Sequence, residues 1–170
     1  PSPASALLSG IMIKAGAYGI IRTVYGIFGT SLITNLTVNK FLLIIAVVTM
    51  MLGSIMALTQ TELKRLLAYS SIAQIGYVIL GVALLSEKGL TGGILHIFNH
   101  ALMKGTLFLC AGAIIFKTGL RNLEDLEGIG KRMPLTMFCF TLAALSMIGI
   151  PPFSGFISKW LLHCLPWIAS

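Results

Sequence analysis

Residues 41–61 contain no charged side chain, and neither do residues 66–86. A helix rising 1.5 Å per residue needs about 20 apolar residues to cross a hydrocarbon core roughly 30 Å thick. Each run is therefore long enough to span a bilayer. Three more runs share that length: residues 4–25 with Lys14 inside and Arg22 near the end, residues 89–116 with Lys104, His96 and His100, and residues 133–158 with no charge. The period-two alternation of a membrane barrel is absent. Only 10% of the residues are charged and 56% are hydrophobic, whereas a soluble domain carries about 25% charged residues to coat its surface. A soluble enzyme is disfavoured, and so is disorder, which requires low hydrophobicity. The expected fold class is an all-α membrane protein of five transmembrane helices, forming a single transmembrane unit over residues 1–170.

The connections fall at residues 26–40, 62–65, 87–89 and 117–132, the second and third reading as tight charged turns. They distribute the basic residues unevenly. One side receives Lys64, Arg65, Lys117, Arg121, Lys131 and Arg132, and the other Arg22, Lys40 and Lys88. By the positive-inside rule the richer side is cytoplasmic, which puts the start of the first span there too. The net charge of +7 is scattered singly along the chain. It reads as a topology signal, and nucleic acid is not an expected partner. Cys110, Cys139 and Cys164 lie far apart in apolar runs and read as small buried hydrophobes. The chain begins at Pro1 with neither an initiator methionine nor a signal peptide, and is expected to be a piece of a longer polypeptide.

An ionisable side chain at membrane depth costs roughly 2.5–3.5 kcal/mol on insertion scales. Lys14 lies about 15 Å from either end of its span. A lysine stem covers less than half that distance, so Lys14 cannot snorkel to water, and the same holds for Lys104. His96, His100 and Lys104 recur at every fourth position, each step turning about 40° and rising 6 Å. They share one stripe. Such a stripe suits a proton relay, because imidazoles and amines both release and accept protons. A structural hydrogen-bonded pair, or a metal site built on the two histidines, would use the same spacing, although no carboxylate or cysteine stands nearby at ligand spacing. Every carboxylate falls in a connection, so the buried lysines lack an acidic counter-ion within this chain. Tyr69, Ser70, Gln74 and Tyr77 give the third span one polar face, fit for interhelical hydrogen bonds or for the waters of an ion path. The fifth span holds Gly149, Pro151, Pro152 and Gly155. Two prolines remove two donors between flexible glycines, which points to a broken helix of the kind that builds transporter sites, or else to a proline kink. Lys159 follows the break; spacing leaves it either deep in the membrane or an interfacial anchor beside Trp160 and Trp167.

Three stretches carry a resemblance to a known family. TQTELKRLLAYSSIAQIGY (59–77), HIFNHALMK (96–104) and GIPPFSGFISK (149–159) resemble, in order, signature segments of the antiporter-like ion-pumping membrane subunits. These occur in respiratory complex I, in membrane-bound hydrogenases and formate hydrogenlyases, and in multisubunit cation/proton antiporters. Residues 1–22, with LSGIMIK at 8–14, look most like the hydrogenase branch. The resemblance implies a fourteen-helix subunit with two inverted five-helix repeats, of which this chain is similar to the eighth to twelfth helices. Residues 1–28 would end the first repeat, and residues 38–170 would form most of the second. It implies proton or sodium translocation through Lys14, His96, His100, Lys104 and Lys159, with Ser70, Gln74, Tyr77 and Asn99 along a hydrated path. A redox-driven complex is the expected setting, and a stand-alone cation/proton antiporter the alternative. The implied partners are the bilayer and other membrane subunits, and the location is a prokaryotic cytoplasmic membrane rather than the mitochondrial inner membrane. No quinone, flavin or iron–sulfur motif is present, so no cofactor is assigned to this chain.

Overall fold

The computed structural model describes residues 2–163, and Cys164 and Trp167 lie outside the described residues. Four helices are long and apolar enough to cross a membrane: α1 (Ala4–Phe28), α3 (Val38–Leu58), α4 (Leu63–Ala83) and α5 (Glu87–Thr118). A short α2 (Thr30–Asn35) joins the first two. After α5 come a single 3₁₀ turn at Glu124–Leu126, α6 (Ile129–Arg132), α7 (Pro134–Ile148) and α8 (Ser154–His163).

The two charged turns lie earlier in the chain than the sequence implies, at residues 59–62 and 84–86, because most of their charged residues open the helices that follow. Glu62 is extended and precedes α4, so Lys64 and Arg65 stand in its first turn, and Arg65 Nε meets Glu62 Oε2 at 2.9 Å. At α5 the Ser86 hydroxyl accepts the Gly89 N–H at 3.0 Å, an N-cap that draws Glu87 and Lys88 into the helix. The long polar connection folds back on the same side. Leu63 N–H donates to the Arg121 carbonyl and Leu123 N–H to the Thr61 carbonyl, at 3.1 and 2.8 Å.

Packing follows side-chain size. Only Ala46, Gly53 and Ala57 of α3 are buried, and they meet α4. A Cβ on Gly53 would stand 2.5 Å from the Ala73 nitrogen. Small residues let the two backbones approach, while Ile44, Met51 and Ile55 stay exposed, as suits a lipid-facing helix. α5 is the hub, packed on α4, α7, α8 and the first half of α1. α1 widens into π geometry at Leu8–Met12 and Arg22–Phe28; the first of these turns buries Ser9 and Gly10.

The fifth apolar run is not one continuous helix. α7 has 15 residues, about 22 Å of rise, which falls short of a hydrocarbon core. Gly149 then adopts a φ of 91°, and a turn containing a cis Pro151–Pro152 bond leads into α8. The two halves press closely, since a Cβ on Gly155 would lie 1.8 Å from the Ser146 carbonyl oxygen.

Two apolar clusters bracket the interior. Ala6, Leu63, Leu67, Leu107, Phe108, Ala111 and Ala143 form one, and Ile21, Val24, Ile33 and Val82 form the other. Leu90 of α5 packs against the second cluster, and on α1, α4 and α5 the residues numbered between the two clusters include eight of the ten buried polar side chains among the described residues.

Candidate functional site

The layer between the clusters is built mainly from three helices and closed by the broken one. Lys104 and His96 are fully buried, His100 is 1% exposed and Lys14 is 6% exposed. α1 contributes Lys14, whose Nζ donates to the Ser9 main-chain carbonyl in the widened turn. α5 contributes the stripe. Lys104 Nζ crosses to α4, donating to the Leu67 carbonyl at 2.7 Å and to Ser70 Oγ at 2.5 Å. Among the described residues neither Lys14 nor Lys104 has a carboxylate partner; carbonyls and a hydroxyl take that place.

His96 is held from both sides. Its Nε2 lies 3.1 Å from Gln74 Oε1 on α4 and its Nδ1 lies 3.1 Å from Ser158 Oγ on α8. Ser158 Oγ also lies 3.2 Å from the Gly155 carbonyl, to which it can donate. With Nε2–H donating to Gln74, neutral His96 accepts the Ser158 proton at Nδ1. A cationic ring instead donates at both nitrogens, and the Ser158 proton turns to Gly155. One hydroxyl rotation therefore satisfies either protonation state. The His100 ring lies parallel to His96, with centroids 6.0 Å apart, and neither of its nitrogens has a protein partner among the described residues.

The broken helix joins through backbone as well as side chains. Asn99 Nδ2 donates to the Ser154 carbonyl at 2.9 Å. Lys159, partly buried, donates from Nζ to the Met147 carbonyl at 2.7 Å and to the Ile148 carbonyl at 3.3 Å, groups that the break leaves without helical partners. Its Nζ also lies 5.1 Å from the Tyr77 ring, and that ring is 5.7 Å from His96. Lys159 thus joins the carbonyls of the break to the face of Tyr77.

The structure brings Lys14, His96, His100, Lys104, Ser70, Gln74, Tyr77, Asn99 and Lys159 to one connected region. It adds Ser9, Ser71 and Ser158, which the sequence reading passed over. A serine inside a span barely changes hydropathy, so only its spacing from the lysines could have marked it.

Comparison with known proteins bears on this layer. Residues 1–168 match the family described as NADH:quinone oxidoreductase/Mrp antiporter, transmembrane. The chain is 45% identical to NADH-quinone oxidoreductase subunit N of Desulforudis audaxviator, over 97% of this chain and 33% of that protein. It is 38% identical to Hydrogenase-4 component B of Escherichia coli, over 94% of this chain and 25% of that protein. Among solved structures, the Mrp complex of Dietzia sp. DQ12-45-1b holds a chain that superposes with a TM-score of 0.85 at 34% identity, over 95% of this chain and 30% of that one. This chain thus spans between a quarter and a third of the length of each of these three proteins.

Proposed function

Because the chain belongs to the NADH:quinone oxidoreductase/Mrp antiporter transmembrane family, we propose that its buried layer is the second half of an ion path in a proton- or sodium-translocating subunit. Lys14, His96, His100, Lys104 and Lys159 carry the cations, while Ser70, Gln74, Tyr77 and Asn99 hold the carriers and the water between them. The observation that carries this reading is that Lys14, His96, His100 and Lys104 are buried together between two apolar clusters, with no acid among the described residues to balance either lysine. A static scaffold would have no use for groups so costly to insert. His100 supports the reading further: buried polar atoms in proteins are satisfied by protein or by water, and among the described residues neither of its nitrogens has a protein partner, as suits a group that meets water along a path.

The rest of the architecture follows the family. α7 and α8 together make the fifth crossing. Residues 1–28 end the first inverted repeat, residues 38–170 form most of the second, and the spans correspond to helices eight to twelve of the subunit. The side bearing Lys64, Arg65, Lys117, Arg121, Lys131 and Arg132 faces the cytoplasm of a prokaryotic cell. The parent assembly is a redox-driven complex in which other subunits carry the electron-transfer centres and further membrane subunits adjoin this one. The relatives' names keep a stand-alone cation/proton antiporter as the second reading. Iron–sulfur centres in the purified complex decide for the first, and their absence for the second.

The test is Lys104→Ala in the full-length protein within its complex, reconstituted in liposomes. Ion uptake per complex falls by tenfold or more, about 1.4 kcal/mol or more of lost barrier lowering, at unchanged abundance. Undiminished uptake refutes the relay.

A further inference from the structure

We propose that the hydroxyls of Ser9 and Ser71 form the bridge coupling Lys14 to Lys104, and that water reaches this bridge through the cleft beside it. The inference rests on the relay reading and adds two residues that the lysine–histidine series does not contain.

The two Oγ atoms lie 2.9 Å apart and both serines are buried. On the α1 side, the Ser9 main-chain carbonyl accepts the Lys14 ammonium. On the α4 side, Ser71 Oγ donates to the Leu67 carbonyl at 3.0 Å, and the same carbonyl accepts Lys104 Nζ at 2.7 Å. One lysine therefore shares a residue with the pair and the other shares an acceptor. The π turn at Leu8–Met12 permits this, because its wider ring holds the Ser9 hydroxyl against α4 while the carbonyl faces Lys14 five residues on.

A serine hydroxyl has one proton and two acceptor sites. Ser71 has two partners for that proton. When it points at Leu67, Ser9 must donate to Ser71; when it points at Ser9, the Leu67 carbonyl is left to Lys104. The arrangements differ by two hydroxyl rotations. Charged donors make hydrogen bonds roughly twice as strong as neutral ones, so an ammonium at Lys104 claims the shared carbonyl more strongly than an amine does. The charge on Lys104 thus sets the direction of the hydrogen bond facing Lys14.

A cleft of about 300 Å³ adjoins the pair, its lining including Ser5, Ser9, Lys64, Arg65, Ser71 and Phe108. At roughly 30 Å³ per molecule that volume accepts several waters. Lys64 stands in the first turn of α4, and Ser71 lies seven residues on, about 10 Å deeper at helical rise. The cleft leads inward from the helix ends to the hydroxyls. Along the file of cleft waters and the two hydroxyls each oxygen gains one O–H bond as it loses another, so a proton taken up from one water leaves to another and nothing is oxidised or reduced. The Ser9 and Leu67 carbonyls carry no proton and pass the charge of the lysines to the hydroxyls only as hydrogen-bond direction.

The experiment uses the full-length protein in its complex, reconstituted in liposomes and energised by electron transfer or, for an antiporter, by an imposed sodium gradient. Proton uptake is read by quenching of a pH-gradient-sensitive acridine dye and normalised to complex abundance. Ser9→Ala and Ser71→Ala each slow uptake by about tenfold. The double variant is no slower than either single one, because both cut the same link. Ser71→Thr, which keeps a hydroxyl, stays within about twofold of the parent. Parental uptake in both alanine variants overturns the bridge. So do losses that multiply in the double variant, as independent packing defects would, or a Ser71→Thr protein as slow as Ser71→Ala. Lys104→Ala is run alongside. If it is inactive while the serine variants pump normally, the bridge alone falls; if it pumps normally, the relay falls and the bridge with it. Should Ser71→Ala not accumulate, Ser9→Ala against Ser9→Thr makes the same comparison.

Discussion

Lys104 is the most deeply buried lysine among the described residues, and its ammonium donates there to a carbonyl and a hydroxyl. That arrangement sets stability against function. A methionine at 104 keeps the length of the stem and removes the charge, whose insertion costs roughly 2.5–3.5 kcal/mol. Lys104→Met should therefore raise the midpoint of thermal unfolding in detergent while abolishing ion uptake. A lower midpoint together with retained uptake would contradict both the burial argument and the relay. At this scale the sequence was most legible for charged residues, because a lysine or histidine amid 20 apolar neighbours stands out by composition alone. It was least legible for the serines. Ser9, Ser71 and Ser158 acquire meaning only through partners 62 residues away, as in the pairs Ser9–Ser71 and His96–Ser158.

Among the elements, the broken helix depends on one close approach. Any side chain at Gly155 meets the Ser146 carbonyl, and backbone cannot yield as a flexible side chain does. Gly155→Ala should destabilise the protein by about 1–3 kcal/mol, as overpacking does, visible as a lower unfolding midpoint and a reduced yield from membranes. An unchanged midpoint would mean that α8 can shift freely against α7. The spans themselves were readable from uncharged length, and their order from the connections. Their boundaries were not. Glu62 and Ser86 each precede a helix, so charges that read as turns became first helical turns. The π turns of α1 left no local trace either; the first of them, Leu8–Met12, packs against α5, a partner far off in sequence. The fifth run was read as one span with a break, and the break is the part the structure bears out: it leaves α7 too short to cross alone.

Over the whole molecule, the sidedness implied by the basic residues is open to a labelling experiment. Cysteines introduced at Lys64 or Lys117 should react with an impermeant maleimide only in inside-out vesicles, and one at Lys88 only in right-side-out vesicles. The reverse pattern would invert the assigned orientation. The resemblance drawn from three motifs extends along residues 1–168. Identity is higher to the NADH-quinone oxidoreductase subunit than to the hydrogenase component, although residues 8–14 resemble the hydrogenase branch. The apolar clusters at the two ends of the polar layer carry a last consequence. They flank a stratum that the cleft beside Ser9 and Ser71 enters past the first cluster, so it resembles a capacitor plate with few leads. Two like charges at the 6.0 Å separation of the His96 and His100 rings repel by about 3 kcal/mol at an effective dielectric constant of 20. Double occupancy is heavily penalised there, and a newcomer at one edge favours departure at the other. Under the proposed relay such a plate would work by displacement, one in and one out, without any large swing of the scaffold that holds it.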